Sequence, residues 1–208
     1  TATSGDINAN ANTINKGIWI SGKTNLNASG NVNLHGVTTN SAYAGADAIK
    51  ISGNSSSNNV NITAGGHISL IAVNGGKEIG STVSVDYANI IAKNGDFNLN
   101  ITGMKGSPFN NATITANNIS MNGNITANDA VLMTNTFLTA KGDIKTDLTS
   151  PTKGLWFRGN GGMTAANNIL LVANSTSSGE TVKINASSSN KMNITAGKDI
   201  SIIAGNSK

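Results

Sequence analysis

Apolar and polar residues alternate in short runs along this chain, and the runs come in pairs. In "NITAGGHISLIA" (61–72), Ile62 and Ala64 precede a Gly-Gly-His turn, and Ile68, Leu70 and Ala72 follow it. A period of two places such residues on one side of an extended strand, whereas a helix would need a period near 3.6. The phrase returns 132 positions later as "NITAGKDISIIA" (193–204), changed mainly at the turn. Related phrases stand at 26–36, 90–103, 112–123, 124–135, 137–148 and 162–174. Each predicts a strand, a corner and a second strand, and helices are nearly absent from the expected structure.

The small residue before the turn measures the repeat. Ala64, Ala92, Ala116, Ala140, Ala165 and Ala196 step by 28, 24, 24, 25 and 31 residues, a drifting period near 25. Ala127 falls too soon after Ala116 for another full coil, so it marks the same motif on a second side of one coil. A coil of this length with two or three short strands buries its apolar edge only against the coils above and below, about 4.8 Å away. The expected fold is therefore an all-β parallel β-helix of about eight coils, with residues 1–208 as a single unit. Departures from the rhythm near 36–50, 73–89 and 103–111 are expected to be loops or hairpins leaving the body, where recognition commonly resides.

Just before the second strand of each phrase stand Asn31, His67, Asp96, Asn118, Asp129, Asp143, Asn168 and Asp199. These types suit a corner, because they tolerate left-handed backbone or bond main-chain groups, and stacked amides bond along a ladder. Above the coil repeat lies a larger one. "GIWISG" (17–22) precedes the first twelve-residue phrase as "GLWFRG" (154–159) precedes the second, so roughly two coils read as a copied block.

Composition narrows the function. The chain holds 34 Asn, 22 Ser, 22 Thr and 24 Gly but only 12% charged residues, a turn-rich and β-rich balance with enough Ile and Val to fold. Its net charge of +4 comes from 13 Lys and one Arg spread thinly, without the clusters that nucleic-acid grooves need. Zero cysteines exclude disulfides and thiolate metal sites. No apolar run approaches the roughly 20 residues of a membrane span, so no membrane insertion of this segment is expected.

Catalysis in a β-helix would need clustered carboxylates on neighbouring coils. Five of the ten acids sit at corners: Asp6, Asp96, Asp129, Asp143 and Asp199. The others, Asp47, Asp86, Asp147, Glu78 and Glu180, are scattered, and no enzyme is expected. His67 reads as a corner residue and His35 as ending a strand, so no metal or other cofactor is expected. "ATIT" (112–115) is isolated, and regular threonine ladders are not expected.

In "GIWISG" and "GLWFRG" the aliphatic partners Ile18, Ile20, Leu155 and Phe157 share one side of the strand, which turns Trp19, Trp156 and Arg158 outward. An outward Trp beside Arg suits stacking on a sugar ring and pairing with an anionic substituent. Tyr43, Tyr87 and Phe109, in the three departures, are further aromatic candidates. Glycosylation sequons begin at Asn27, Asn54, Asn61, Asn100, Asn111, Asn118, Asn124, Asn174, Asn185 and Asn193.

The phrases "NITAGKDISIIA", "LTAKGDI" and "NASGNVNL" resemble the repeats of filamentous haemagglutinin-like exoproteins exported by two-partner secretion, above all the high-molecular-weight non-pilus adhesins. The resemblance covers essentially the whole chain. It implies a right-handed β-helix on a Gram-negative cell surface, an outer-membrane transporter during export, a host-cell glycan or glycoprotein receptor, and glycosylation at sequons. Nothing matches the family's "NPNG"-type secretion motifs, so the segment is expected to be internal. The same repeats also build inhibition toxins and haemolysins, which leaves a purely structural spacer as the alternative to an adhesin, with a polysaccharide-cleaving enzyme behind both.

Overall fold

The computed structural model describes residues 1–39, 46–75, 80–177, 180–186 and 191–206. Every regular element among them is a strand, and all strand pairings are parallel, in sheets of eight and twelve strands. The chain is a parallel β-helix with three walls.

The first wall stacks Ile18–Ser21, Ile49–Ser52, the opening halves of Val83–Ala92 and Ser107–Ala116, then Val131–Thr134, Leu155–Arg158 and Val182–Asn185. The second stacks Asn25–Ala28, Val60–Ala64, the closing halves of the same two long strands, Phe137–Ala140, Gly161–Ala165 and Met192–Ala196. The third wall is the eight-stranded sheet, from Ile7–Thr13 through Val32–Thr38, Ile68–Asn74, Phe97–Gly103, Ile119–Ile125, Ile144–Ser150 and Ile169–Ser175 to Ile200–Asn206. Eight rungs at about 4.8 Å span roughly 34 Å.

The alternation read from the sequence sets the register. Ala28 pairs with Ala64, Ala64 with Ala92, Ala116 with Ala140, Ala140 with Ala165 and Ala165 with Ala196, all closing second-wall strands. Ala127 follows a third-wall strand and precedes a first-wall one, so its phrase does turn a different corner of the coil. Aliphatic side chains fill the interior without exposure, among them Ile62, Ile90, Ile114 and Leu99, with Phe97, Phe109 and Phe157 the bulkiest. Each such side chain contributes about 1.5–3 kcal/mol, so stacked apolar residues dominate the stability. Packing is fitted by size as well as polarity. Gly123 lies between Ile101 and Leu148, where an added Cβ would sit 2.6 Å from Ile101 Cγ1 and 3.1 Å from Leu148 Cδ2.

Two corners are built in different ways. Between the second and third walls, the side chain of each corner residue accepts the backbone N–H of its counterpart one coil on. The bonds run Asn31 to Asp6 (2.6 Å), His67 to Asn31 (2.8 Å), Asp96 to His67 Nδ1 (3.0 Å) and Asn118 to Asp96 (3.0 Å). They continue Asp143 to Asn118 (2.9 Å), Asn168 to Asp143 (3.0 Å) and Asp199 to Asn168 (3.3 Å). His67 is thus a ladder acceptor. No two aspartates are adjacent in this series: each is separated from the next by Asn or His. The Asn168 N–H first, then Lys145, hold the Asp143 carboxyl below its ordinary range.

The corner between the first and second walls takes the left-handed backbone instead. Positive φ falls on Gly22 (70°), Tyr87 (45°), Asn111 (50°), Asn135 (51°) and Gly159 (79°), not on the ladder residues. One such residue resets the alternation, so Val85 points in, Asp86 and Tyr87 face out, and Ala88 points in again.

Asp129, in the phrase of Ala127, sits as expected at a corner on another side of the coil, between the third and first walls, where its carboxylate accepts the Thr152 hydroxyl (2.5 Å) and the Lys153 N–H (3.1 Å). Several other expectations are corrected. Much of the departure at 103–111 enters the wall, as the strand Ser107–Ala116 with Phe109 fully buried. In 73–89 the wall resumes at Val83, and residues 76–79, with Glu78, lie outside the described residues; so do 40–45 within 36–50. His35 sits inside its strand with its side chain exposed. Threonines also stack regularly: Thr115, Thr139, Thr164 and Thr195 form one outward column of the second wall. Its companion column, with Asn61, Asn89, Thr113, Phe137 and Gly162, is mixed in size and chemistry.

Candidate functional site

Strand register places the aromatic candidates of the two "G-x-W" phrases on one surface. Trp19 pairs with Lys50 and Lys50 with Ser84; further along the same outward column, Pro108 pairs with Leu132, Leu132 with Trp156 and Trp156 with Lys183. The tryptophans stand five rungs apart, about 24 Å at the usual strand spacing, and form two patches.

At the first patch Trp19 is 52% exposed, with Lys16 Nζ 4.5 Å and Lys50 Nζ 5.1 Å from the ring centroid. The second patch is more elaborate. Trp156 is half-buried and ringed by the Arg158 guanidinium (4.7 Å), Lys153 Nζ (4.8 Å) and Lys183 Nζ (5.7 Å). Its indole N–H donates to Asn185 Oδ1 at 2.8 Å, which fixes the ring, and Arg158 Nε donates to Thr134 Oγ1 at 3.0 Å. Each lysine has a carboxylate near it: Lys153 lies 3.6 Å from Asp129, and Lys183 lies 2.6 Å from Glu180. Arg158 has none within ion-pair distance among the described residues. Its remaining N–H groups are available for a planar acid group.

Below Trp156 the column continues over Leu132 and Pro108 into a surface cleft of about 290 Å³, rimmed by Lys105, Ser107, Asp129, Thr152 and Lys153. The strip therefore combines an indole, an apolar floor and cations at its edges, the mixture that a carbohydrate with an acidic substituent demands.

Tyr87 is turned away from this strip by its positive φ and lines a separate cleft of about 480 Å³ on the second wall, together with Phe137. Phe109 is core, and Tyr43 lies outside the described residues. Sequence reading missed Lys153, Lys183, Leu132 and Phe137. Their signal was the register itself: positions 108, 132, 156 and 183 step by nearly one coil, which becomes visible only once coil lengths are known.

The sequons divide by what the amide already does. Asn118 belongs to the corner ladder, Asn111 bonds Asp86 (3.3 Å), Asn61 bonds Asn25 (2.9 Å) and Asn185 accepts from Trp156. Asn174 is half-buried, while Asn27, Asn54, Asn100, Asn124 and Asn193 are exposed. Among the described residues no three His, Asp or Glu side chains converge as metal ligands, and no helix is long and apolar enough to cross a membrane. No family model, curated protein or solved structure matches this chain.

Proposed function

We propose that this segment is part of a cell-surface adhesin of the filamentous haemagglutinin-like kind, a rigid rod that presents the Trp156 strip to host-cell glycans carrying an acidic group. The observation that carries the reading is Arg158, which lies against the indole with no carboxylate partner among the described residues, with Lys153 and Lys183 beside it. A sugar ring stacks on the indole edge and over Leu132 while its carboxylate or sulfate collects the guanidinium in a two-point bond. Trp19 with Lys16 and Lys50 offers the same chemistry more weakly, since ammonium groups bind as point charges. Binding without turnover is the role, and display on the bacterial outer surface after export through an outer-membrane transporter is the setting.

The test is a glycan array followed by titration of the strongest acidic ligand. The pair Trp156→Ala with Arg158→Ala is expected to weaken that ligand at least tenfold, corresponding to loss of about 1.4 kcal/mol or more, with the far-UV β signature unchanged. Unaltered affinity removes the strip from consideration. An array without any ligand-specific signal assigns the rod to a spacer role instead.

A further inference from the structure

We propose that the second wall carries a distinct binding cleft for a neutral oligosaccharide, built on Tyr87 and Phe137. The cleft, about 480 Å³, is flanked by residues 54–59, whose turn is closed by Asn54 N–H to Asn58 O (2.9 Å) and Asn58 N–H to Ser55 O (3.1 Å). The proposal does not depend on the Trp156 strip, which occupies another wall.

Three features converge on this cleft. The first is backbone geometry. Its edge follows the corner column of Tyr87, Asn111 and Asn135, all at positive φ, while other coils place Gly22 and Gly159 at the same corner. Glycine is the low-energy solution there, and a bulky residue such as Tyr is a conformational outlier. Tyr87 keeps a side chain where its absence would relieve strain, and that side chain lines the cleft.

The second feature is exposed aromatic surface. Phe137 is 44% exposed because it occupies an outward position of its strand, paired with Thr113 on one side and Gly162 on the other. Gly162 has no side chain to cover the ring. The third is the polar complement. Among the described residues, Asn89 and Thr113 offer an amide and a hydroxyl with no side-chain hydrogen bond, Asn59 bonds only through its Oδ1, and none that lines the cleft carries a charge. Aromatic faces beside unpaired amides and a hydroxyl, without a cation, match the apolar ring faces and hydroxyl edges of an uncharged sugar. An acidic glycan would find no counter-charge in this cleft.

Saturation-transfer NMR with three neutral probes, cellotetraose, chitotetraose and lacto-N-tetraose, tests the assignment on the whole chain. At least one probe is expected to receive transfer. Tyr87→Gly and Phe137→Thr are each expected to reduce its affinity severalfold, and the pair to abolish transfer. Tyr87→Gly suits its backbone position, so its thermal midpoint should equal or exceed that of the native chain. Retained binding of an acidic ligand by the double variant would separate this cleft from the Trp156 strip. Absence of transfer to all three probes overturns the proposal. So does transfer that survives in the double variant, or that Trp156→Ala with Arg158→Ala removes instead.

Discussion

Replacing Asn118 by Asp puts three carboxylates in succession on the corner ladder, between Asp96 and Asp143. The native amide donates Nδ2–H to Asp96 Oδ1 (2.9 Å) and accepts the Asp143 N–H (2.9 Å). The substitution keeps the acceptor, loses the donor at a cost of about 1 kcal/mol, and creates two like-charge neighbours about 4.8 Å away. Each repulsion is roughly 0.9 kcal/mol at the dielectric of water and about 3.5 at an effective value of 20. The Asp96 and Asp143 side chains are 32% and 23% exposed, so screening is substantial, and a total near 3 kcal/mol follows at pH 7. For a chain of this size that lowers the thermal midpoint by roughly 6–12 °C. Asn118→Ala, which loses both bonds but adds no charge, is expected to cost only about 1–2 kcal/mol. The two variants separate further by condition. Repulsion raises the folded-state pKa of the ladder acids, so the penalty is present above that value and disappears as pH falls below the unfolded value near 3.9. Molar salt shrinks it as well. Thermal melts of both variants at pH 7 and pH 3.5, with and without 1 M NaCl, check the reasoning. Equal midpoints for Asp and Ala at pH 7 in low salt, or a difference indifferent to salt, would refute it.

In the native chain, Asp143 is held low by the Asn168 N–H and by Lys145, so its stabilising contribution is complete above the ordinary carboxylate value and is lost as pH falls through the lowered one. Lys145→Ala should move the Asp143 side-chain carboxyl titration upward, toward 3.8, as followed by ¹³C NMR. Phe109→Ala, at a site with no exposure, is expected to cost about 3–5 kcal/mol in denaturant unfolding; a cost below 1 kcal/mol would place the ring outside the core.

The parallel stack was legible because alternation and period agree, as the paired alanines from Ala28 to Ala196 demonstrate. Phe109 was misplaced for a definite reason. It stands three residues before Ala112, which breaks a period of two, and a single left-handed residue at Asn111 absorbs the extra position. Val85, Tyr87 and Ala88 repeat the same arrangement one coil earlier. Asp129 resembles the ladder acids in its local sequence, and it was the short step from Ala116 to Ala127 that assigned its phrase to another side of the coil. The threonine column is written one residue per coil, each just before one of the alanines that measure the repeat, so a local run such as "ATIT" does not reveal it. Trp156 and Arg158 were legible from strand parity, whereas Lys153 and Lys183 reach the ring from a corner and a neighbouring coil.

The order of acids on the ladder also constrains how such a chain lengthens. Duplicating one aspartate-bearing layer by itself would set two negative groups side by side, a step that electrostatics discourages. Copying two layers at once avoids this. The repeated block that begins at Trp19 contributes Asn31 and then His67, and the one that begins at Trp156 contributes Asn168 and then Asp199. Rods of this kind are thereby biased to gain an aspartate-bearing layer only together with a neutral one, a spacing rule that insertions and deletions must respect.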